Sequence, residues 1–135
     1  MSDLPRLVTV VLEVSDLDRS VVLYREGFGL DLHVGDHGGG EHGPGDRWTS
    51  GRHAAMSWPD GEFLHFALYE AAHEPTTRAQ VAFRVEDLAE AHRRALRSGA
   101  AVMHGPRREP WGMSARYRDP DGNVVELTEP TGSYA

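Results

Sequence analysis

The chain contains no cysteine, no lysine and no long apolar run. The absence of cysteine excludes disulfides and thiolate metal sites. No stretch approaches the roughly 20 consecutive apolar residues that cross a bilayer, so no membrane partner is predicted. The amino-terminal residues 1–6 lack a basic segment followed by an apolar run, and no secretion signal is expected there. We therefore predict a soluble, cytoplasmic protein.

Positive charge is also scarce. The 14 basic residues, all arginine, are outnumbered by 21 Asp and Glu, and the formal net charge is −7 at pH 7. A nucleic-acid-binding face needs concentrated basic residues, so no nucleic-acid partner is predicted. An acidic balance suits a cationic ligand but more often serves solubility. One arginine-rich spot (Arg107, Arg108, Arg116, Arg118) could hold an anionic group, although scattered surface arginines are commoner.

The sequence contains the same pattern twice. Val10–Leu17 is matched by Val81–Leu88, and Trp-Pro-Asp-Gly at 58–61 is matched by Asp-Pro-Asp-Gly at 119–122. Each copy predicts an alternating strand, an acidic turn and a helix, then a Pro-Asp-Gly turn that leads into another apolar strand. We therefore predict a single domain, residues 1–135, made of two tandem modules at about 5–70 and 77–130.

The signals inside each module place its elements. Alternation over Leu7–Val14 predicts the first strand. Ser15 or Asp16 is expected to cap the first helix, and Glu86 or Asp87 the second, with Gly27/Gly29 and Gly99 as the helix ends. Hairpins are predicted between residues 53–58 and 62–69 and between 114–118 and 123–128. The first copy is 10 residues longer between its landmarks, a surplus expected within the glycine-rich loop Gly35–Gly51.

Three motifs resemble the vicinal oxygen chelate superfamily, which includes glyoxalase I, extradiol dioxygenases, and fosfomycin and bleomycin resistance proteins. They are the strand and Asp-Leu-Asp-Arg-Ser-x-x-x-Tyr opening from Asp16 to Tyr24, the Gly-Phe-Gly-Leu helix exit at 27–30, and Asp-Pro-Asp-Gly-Asn-Val-Val-Glu-Leu at 119–127. The resemblance covers nearly the whole chain and is closest in style to bleomycin-resistance-type binding proteins. It implies an α+β fold of two βαβββ modules, a curled mixed sheet with a cup-shaped pocket, helices on the outer side, and a homodimer.

The resemblance also provides a test for metal. Metal-using members carry one ligand on the first strand and one on the last strand of each module, which maps here to Thr9, His65, Gln80 and Glu126. Where such members have His on the first strands, this chain has Thr9 and Gln80. A catalytic metal site usually offers three firm donors and an open position. We therefore expect no metal cofactor, while a divalent metal on His65, Gln80 and Glu126 stays the alternative.

Aromatic and soft side chains are concentrated in the segments expected to line the cup. They include Met56, Trp58 and Tyr69, with Trp58 the one most compatible with the core. Flat rings supply contact area with few torsions to freeze, which suits an extended planar ligand. The predicted ligand-binding residues are Thr9, Glu13, Trp48, Phe63, His65, Gln80, Trp111, Met113, Tyr117 and Glu126.

Two functions compete at this point. The first is a metal-independent binding protein that sequesters an aromatic or polycyclic antibiotic-like molecule for self-resistance, with no catalytic residue. The second is a divalent-metal lyase, isomerase or dioxygenase of the glyoxalase type. Metal-free acid–base catalysis by Glu126 or His65 is a weaker third possibility. We favour binding, with a small molecule and a second copy of the chain as the partners.

Overall fold

The computed structural model describes residues 5, 7–36, 49–58, 64–75 and 78–130. In chain order its elements are β1 (Thr9–Val14), α1 (Leu17–Val22), a π-helical turn (Leu23–Gly27), β2 (His33–Asp36), β3 (Thr49–Ser57), β4 (His65–Ala71), β5 (Gln80–Arg84), α2 (Leu88–Arg97), β6 (Ala101–Glu109), β7 (Gly112–Arg118) and β8 (Val124–Pro130). Neither helix in this part of the chain is long and apolar enough to cross a membrane.

The strands form two four-stranded mixed sheets with the same internal order. Sheet A has the order β1-β4-β3-β2, and sheet B has the order β5-β8-β7-β6. In each sheet the first strand pairs in parallel with the last, and the other neighbours are antiparallel. The predicted α+β class with two βαβββ modules is confirmed. Within the described residues, β1 and β5 are edge strands that do not pair with each other.

Equivalent acidic residues begin the two helices. Asp16 accepts a hydrogen bond from the Arg19 N–H, and Asp87 accepts one from the Glu90 N–H, both at 3.1 Å. These side chains satisfy backbone donors that the first helical turn leaves without an internal partner. The predicted caps are thus confirmed as Asp16 and Asp87. Helix α2 ends at Arg97, and the glycine predicted to stop it, Gly99, follows Ser98. Gly99 has a φ of 78°, which glycine adopts without strain.

The two modules share one hydrophobic core on the helix side of the sheets. Helix α1 lies against β3 and β4, and α2 lies against β6, β7 and β8. Ring contacts join the modules directly, because Phe66 meets Phe83 at 5.3 Å and Phe28 meets Tyr117 at 5.5 Å between centroids. Burial of these rings removes a large apolar area from water, so each module completes the core of the other.

Parts of the predicted loop are strand. Gly35 and Asp36 belong to β2, and residues 49–51 begin β3, so the strands extend into both ends of the glycine-rich segment. Its remaining residues, 37–48, lie outside the described part of the chain, as do the turn at 59–61 and the predicted ligand contacts Trp48 and Phe63. Strands β2 and β6 carry no strong alternation and were not predicted individually.

Candidate functional site

Strand alternation gives each sheet two faces, one packed on the helices and one opposite them, which we name the helix-free face. In sheet A, Thr9 and His65 are direct cross-strand partners on this face, and Glu13 lies further along β1. In sheet B, Glu126 lies opposite Ala82 on one side and Arg116 on the other. Gln80 is on the same face of β5. Five predicted site residues therefore occupy helix-free faces, divided between the two sheets.

The structural register changes one of the predicted equivalences. Leu17 N–H donates to Glu70 and Leu88 N–H donates to Glu129, pairs that are 53 and 41 positions apart. The first module is therefore longer by 12 residues, and two of them follow the Pro-Asp-Gly turn. Counting from that turn selected His65 as the equivalent of Glu126. The strand pairing shows instead that Ala67 is its equivalent, because Ala67 pairs with Val11 as Glu126 pairs with Ala82.

A buried polar row crosses the helix-free face of sheet B. Glu126 is 5% exposed, and its carboxylate accepts a hydrogen bond from Arg116 Nε at 2.9 Å. His104 is the neighbour of Arg116 on the far side, so the three residues cross β6, β7 and β8 in line. Removing an ion pair from water is favourable only when its remaining polar atoms also find partners. This row therefore has capacity for further hydrogen bonds.

Unpaired polar atoms lie on the hairpin of β6 and β7, which carries part of this row. His104 Nε2, Trp111 Nε1 and Ser114 Oγ are buried and have no hydrogen-bond partner in the described part of the chain. His104 Nδ1 donates to the Gly105 carbonyl at 2.9 Å, which leaves Nε2 as the acceptor of the neutral ring. Most buried polar atoms in folded proteins are hydrogen-bonded, and exceptions need an explanation. A bound molecule that supplies both acceptors and a donor would satisfy these three atoms, which lie on β6, on β7 and in the turn between them.

The helix-free face of sheet A is aromatic and contains two histidines. His53 stacks on Tyr69 with centroids 5.0 Å apart and planes 18° apart. His65 Nδ1 is 3.0 Å from Ser57 Oγ, which lies opposite it on β3. Glu13 is buried beside Tyr69, its partner across β1 and β4. This face offers stacking surface and polar groups together.

Met113 and Tyr117 lie on the other side of sheet B. Tyr117 is completely buried, and its hydroxyl is 2.7 Å from His92 Nδ1 on α2. Burial raises the pKa of Tyr117 to about 12. Met113 has the same parity on β7 and packs against the core. The expectation that both side chains line the cup is therefore corrected, because Ala115 and Tyr117 face α2 whereas Ser114 and Arg116 do not. Trp58 also packs inward, stacked on Phe83.

The residues present do not fit a catalytic divalent metal. Glu126 is engaged by Arg116, and its counterpart in the first module is the non-ligating Ala67. His65 and Thr9 belong to sheet A, whereas Gln80 and Glu126 belong to sheet B. No group of three His, Asp or Glu side chains with metal-binding geometry occurs in the described residues. The donor set lacks the three firm ligands that such sites use.

Sequence reasoning did not select four residues of the polar row and its surroundings. His104, Ser114 and Thr128 were not considered, and Arg116 was noted only as part of an arginine-rich spot. Ser114 and Thr128 are cross-strand partners, both buried on the face of Glu126. The signal that could have found them is strand alternation, since polar residues at 114, 116, 126 and 128 share one parity on two adjacent strands.

Comparisons with known proteins agree with this architecture. A sequence model described as the Glyoxalase/Bleomycin resistance protein/Dioxygenase superfamily matches residues 6–127. The chain is similar to the crystal structure of TnmS3, an antibiotic binding protein from Streptomyces sp. CB03234. The two are 28% identical, with 97% of this chain and 100% of that chain covered and a TM-score of 0.69. No curated protein matches the chain.

Two further solved structures are similar. A glyoxalase/bleomycin resistance protein from the same Streptomyces strain is 28% identical, with 92% of this chain and 100% of that chain covered and a TM-score of 0.64. TioX from Micromonospora sp. ML1 is 23% identical, with 93% and 99% covered and a TM-score of 0.64. At the identity of TioX the similarity describes the fold alone.

Proposed function

Because this chain belongs to the Glyoxalase/Bleomycin resistance protein/Dioxygenase superfamily, we propose that it is a metal-independent binding protein that sequesters an aromatic or polycyclic, antibiotic-like molecule. The observation that carries this proposal is the set of buried, unpaired polar atoms on the hairpin of β6 and β7, which also carries Arg116 of the Arg116–Glu126 pair. An occupant with both acceptor and donor groups would satisfy those atoms and remove the free-energy cost of burying them unpaired. The similarity to an antibiotic binding protein supports the same ligand class.

The proposed ligand contacts divide by chemistry. Trp111 supplies a flat surface and an indole N–H, with Trp48 and Phe63 as the further rings expected from the sequence. Polar groups come from both helix-free faces: Thr9, Glu13 and His65 on sheet A, and Gln80 and Glu126 on sheet B. Flat rings fix a planar body, whereas a few polar groups fix its orientation. No residue is assigned a catalytic role.

A homodimer completes this site in our proposal. The helix-free faces of sheets A and B belong to separate sheets whose edge strands β1 and β5 do not pair in the described chain. Strand β1 is preceded by Leu7 and Val8, which are exposed, and itself contributes the exposed Val11. Symmetric association of two chains covers such an edge. It also allows sheet A of one chain to meet sheet B of the other.

Ligand titration tests the binding role. A panel of planar aromatic antibiotics, doxorubicin among them, is added while tryptophan fluorescence and heat are recorded. We expect saturable binding, weakened by about 1–3 kcal/mol in Trp111→Ala, the range typical of losing an aromatic anchor. Trp111→Phe is the matched control, since it retains an aromatic ring while removing the indole N–H. Equal affinity of wild type and Trp111→Ala for every ligand that binds would reject this site.

Elemental analysis tests metal independence. Protein purified without chelator should contain far less than one Zn, Ni, Fe or Mn per chain, because the donor set is weak. Near-stoichiometric metal that disappears in Glu126→Ala would favour the glyoxalase-type enzyme instead. Glu126→Gln serves as the control, since it keeps the side-chain shape while removing the carboxylate charge.

A further inference from the structure

A cavity of about 830 Å³ lies between the modules, on the side of the strands opposite the helix-free faces. We name it the inter-module cleft. It runs along the free edge of β5, between α2 and the helix-facing side of β1 and β4. Its apolar wall consists of Val10, Phe28, Met56, Trp58, Phe66 and Phe83. The volume is within the range of about 300–1,000 Å³ that is usual for small-molecule sites.

The rings of this wall are arranged in two planes. Trp58 and Phe83 are stacked with planes 26° apart and centroids separated by 6.2 Å. Phe66 meets Phe83 edge-on at 88°. The nearly parallel rings of Trp58 and Phe83, together with the nearly perpendicular ring of Phe66, offer face contact and edge contact to a flat ring system. The cleft therefore suits a planar aromatic molecule.

Arg94 provides an unneutralised charge in the same cleft. Its Nε is buried without a partner, and its guanidinium makes no hydrogen bond or ion pair with any described residue. The neighbouring Arg93 and Arg97, by contrast, both pair with Glu90. Arg94 is partly buried, and a buried N–H donor without an acceptor is unfavourable, so the guanidinium has unused capacity for an anion.

Gly29 allows the Arg94 guanidinium to lie close to the backbone at the end of the first helix. A Cβ atom at this position would lie 2.5 Å from Arg94 Nη2 and 2.9 Å from Cζ, closer than atoms can pack. Gly29 also has a φ of 80°, which side-chain-bearing residues rarely adopt. The guanidinium of Arg94 therefore lies against the backbone at Gly29, and its N–H donors lie at the edge of the cleft.

The carboxylates that line the cleft do not neutralise Arg94. Glu90 is paired with Arg93 and Arg97, and Asp87 caps α2. Asp31 is mostly exposed and lies 3.3 Å from His33, and Glu86 is exposed on the loop before α2. Solvent screens exposed charges strongly. Arg84 also lines the cleft but is exposed, so the partly buried cation available to a ligand there is Arg94.

We propose that the inter-module cleft is a second binding site, specific for flat aromatic carboxylates, with the carboxylate on Arg94 and the ring system against the wall formed by Trp58, Phe83 and Phe66. Guanidinium and carboxylate match in geometry through two parallel N–H···O bonds. This site shares no residue with the polar row around Glu126, so it goes beyond the binding function proposed above.

Paired probes test the proposal. Anthracene-9-carboxylate and anthracene-9-carboxamide have the same ring system and differ in charge. Calorimetry on the full chain should show the carboxylate binding about tenfold or more tightly, as expected of a charge-assisted hydrogen bond. Arg94→Met should abolish this preference while the carboxamide still binds, because the apolar wall is intact. Arg19→Met, at an exposed arginine on α1 that does not line the cleft, is the control and should keep the preference.

One further variant distinguishes binding at this cleft from binding at the site proposed above. Trp111→Ala should leave anthracene-9-carboxylate affinity unchanged, whether or not it weakens antibiotic binding. Equal affinity for both probes in wild-type protein, which requires no variant to fold, would overturn the proposal. So would full retention of the carboxylate preference in Arg94→Met, or its loss in Trp111→Ala.

Discussion

The carboxylate of Asp119 accepts four hydrogen bonds, one of which connects the two modules. It accepts from the Tyr24 hydroxyl at 2.8 Å, from the backbone N–H groups of Asp121 and Asn123, and from the Asn123 side chain. Asn123 Oδ1 in turn accepts from the Ala79 N–H. A buried carboxylate is tolerated when donors replace its hydration in this way. The Asp-Pro-Asp-Gly-Asn motif is therefore a structural joint.

Removing one donor from this joint should destabilise the whole fold. Tyr24→Phe deletes the hydroxyl, leaving a buried carboxylate with one bond fewer and the ring packing intact. We expect a loss of about 1–3 kcal/mol in the free energy of unfolding, measured by urea denaturation. Tyr117→Phe is the comparison, with a smaller expected loss, since its partner His92 is only partly buried. Equal stability of Tyr24→Phe and wild type would contradict this role.

Two buried tyrosines should make stability sensitive to alkaline pH. Burial raises the pKa of Tyr117 to about 12. Burial, followed by the neighbouring Asp119 charge and their hydrogen bond, raises the pKa of Tyr24 well above its usual range. The unfolded chain loses these protons near pH 10 while the folded chain keeps them. Stability is therefore fully present below pH 10 and falls as pH rises towards 12.

The measurement is the free energy of unfolding at several values between pH 9 and 11.5. The slope should be negative, and it should become shallower in Tyr117→Phe, which has one proton fewer to release. A Tyr117→Phe slope identical to wild type would show that this group ionises equally in both states.

Individual side chains differ in how well sequence could place them. Thr9, Glu13, His65, Gln80 and Glu126 were correctly predicted to share one face of their strands, because a period of two is a local property. Tyr117 and Met113 were placed by residue type instead, since both suit a ligand pocket. Their parity relative to Ser114 and Arg116 was the more informative signal. Pairing of His104 with Arg116 depends on a bulge in β6, which local pattern does not encode.

At the level of elements, each helix is tied to the last strand of its own module. Glu70 accepts from the Leu17 N–H and Glu129 from the Leu88 N–H, at 3.0 and 2.8 Å. Both carboxylates also lie at the positive end of a helix dipole. With Asp16 and Asp87, they satisfy two of the first backbone donors in each helix. The modules thus repeat the same connection between strand and helix.

Removal of the α2 cap should measure this connection. Asp87→Ala deletes one acceptor and is expected to cost about 1 kcal/mol of unfolding free energy. Glu129→Ala should cost about 1–2 kcal/mol, since the N–H it leaves is partly buried. Chemical denaturation checks both, with Glu86→Ala, an exposed neighbour without a capping bond in the described structure, as the control. Losses no larger than that control would show that α2 begins without help from these groups.

The register of the last strand shows why element boundaries were harder to predict than element types. The Pro-Asp-Gly turns are nearly identical in sequence, so they suggested a common distance to the strand. The first module has two more residues after its Pro-Asp-Gly motif, and a two-residue shift leaves the apolar alternation unchanged because side chains repeat with a period of two. Strand pairing in three dimensions fixes the shift through Thr9, which pairs with His65. Only the long-range contact distinguishes Ala67 from His65.

For the molecule as a whole, the proposed homodimer should depend on the edge of β1. Val11→Lys places a charge on this exposed apolar strand and should shift the chain towards monomer, raising the dimer dissociation constant at least about tenfold. Sedimentation velocity over a micromolar concentration series measures this. Val22→Lys, at an exposed valine on α1, is the matched control and should remain dimeric. A wild-type chain that is monomeric throughout the series would contradict the proposal directly.

The alternation of the strands separates two kinds of mutational constraint. Residues on the helix side of β4, such as Phe66 and Leu68, complete the shared core, whereas His65, Ala67 and Tyr69 between them face away from it. A substitution screen that selects only for folding should therefore tolerate changes at His65 and Tyr69 better than at the buried Phe66, Ala67 and Leu68. Descendants of one ancestral chain can exchange those more tolerant positions and acquire new ligands while the core that they inherit stays the same.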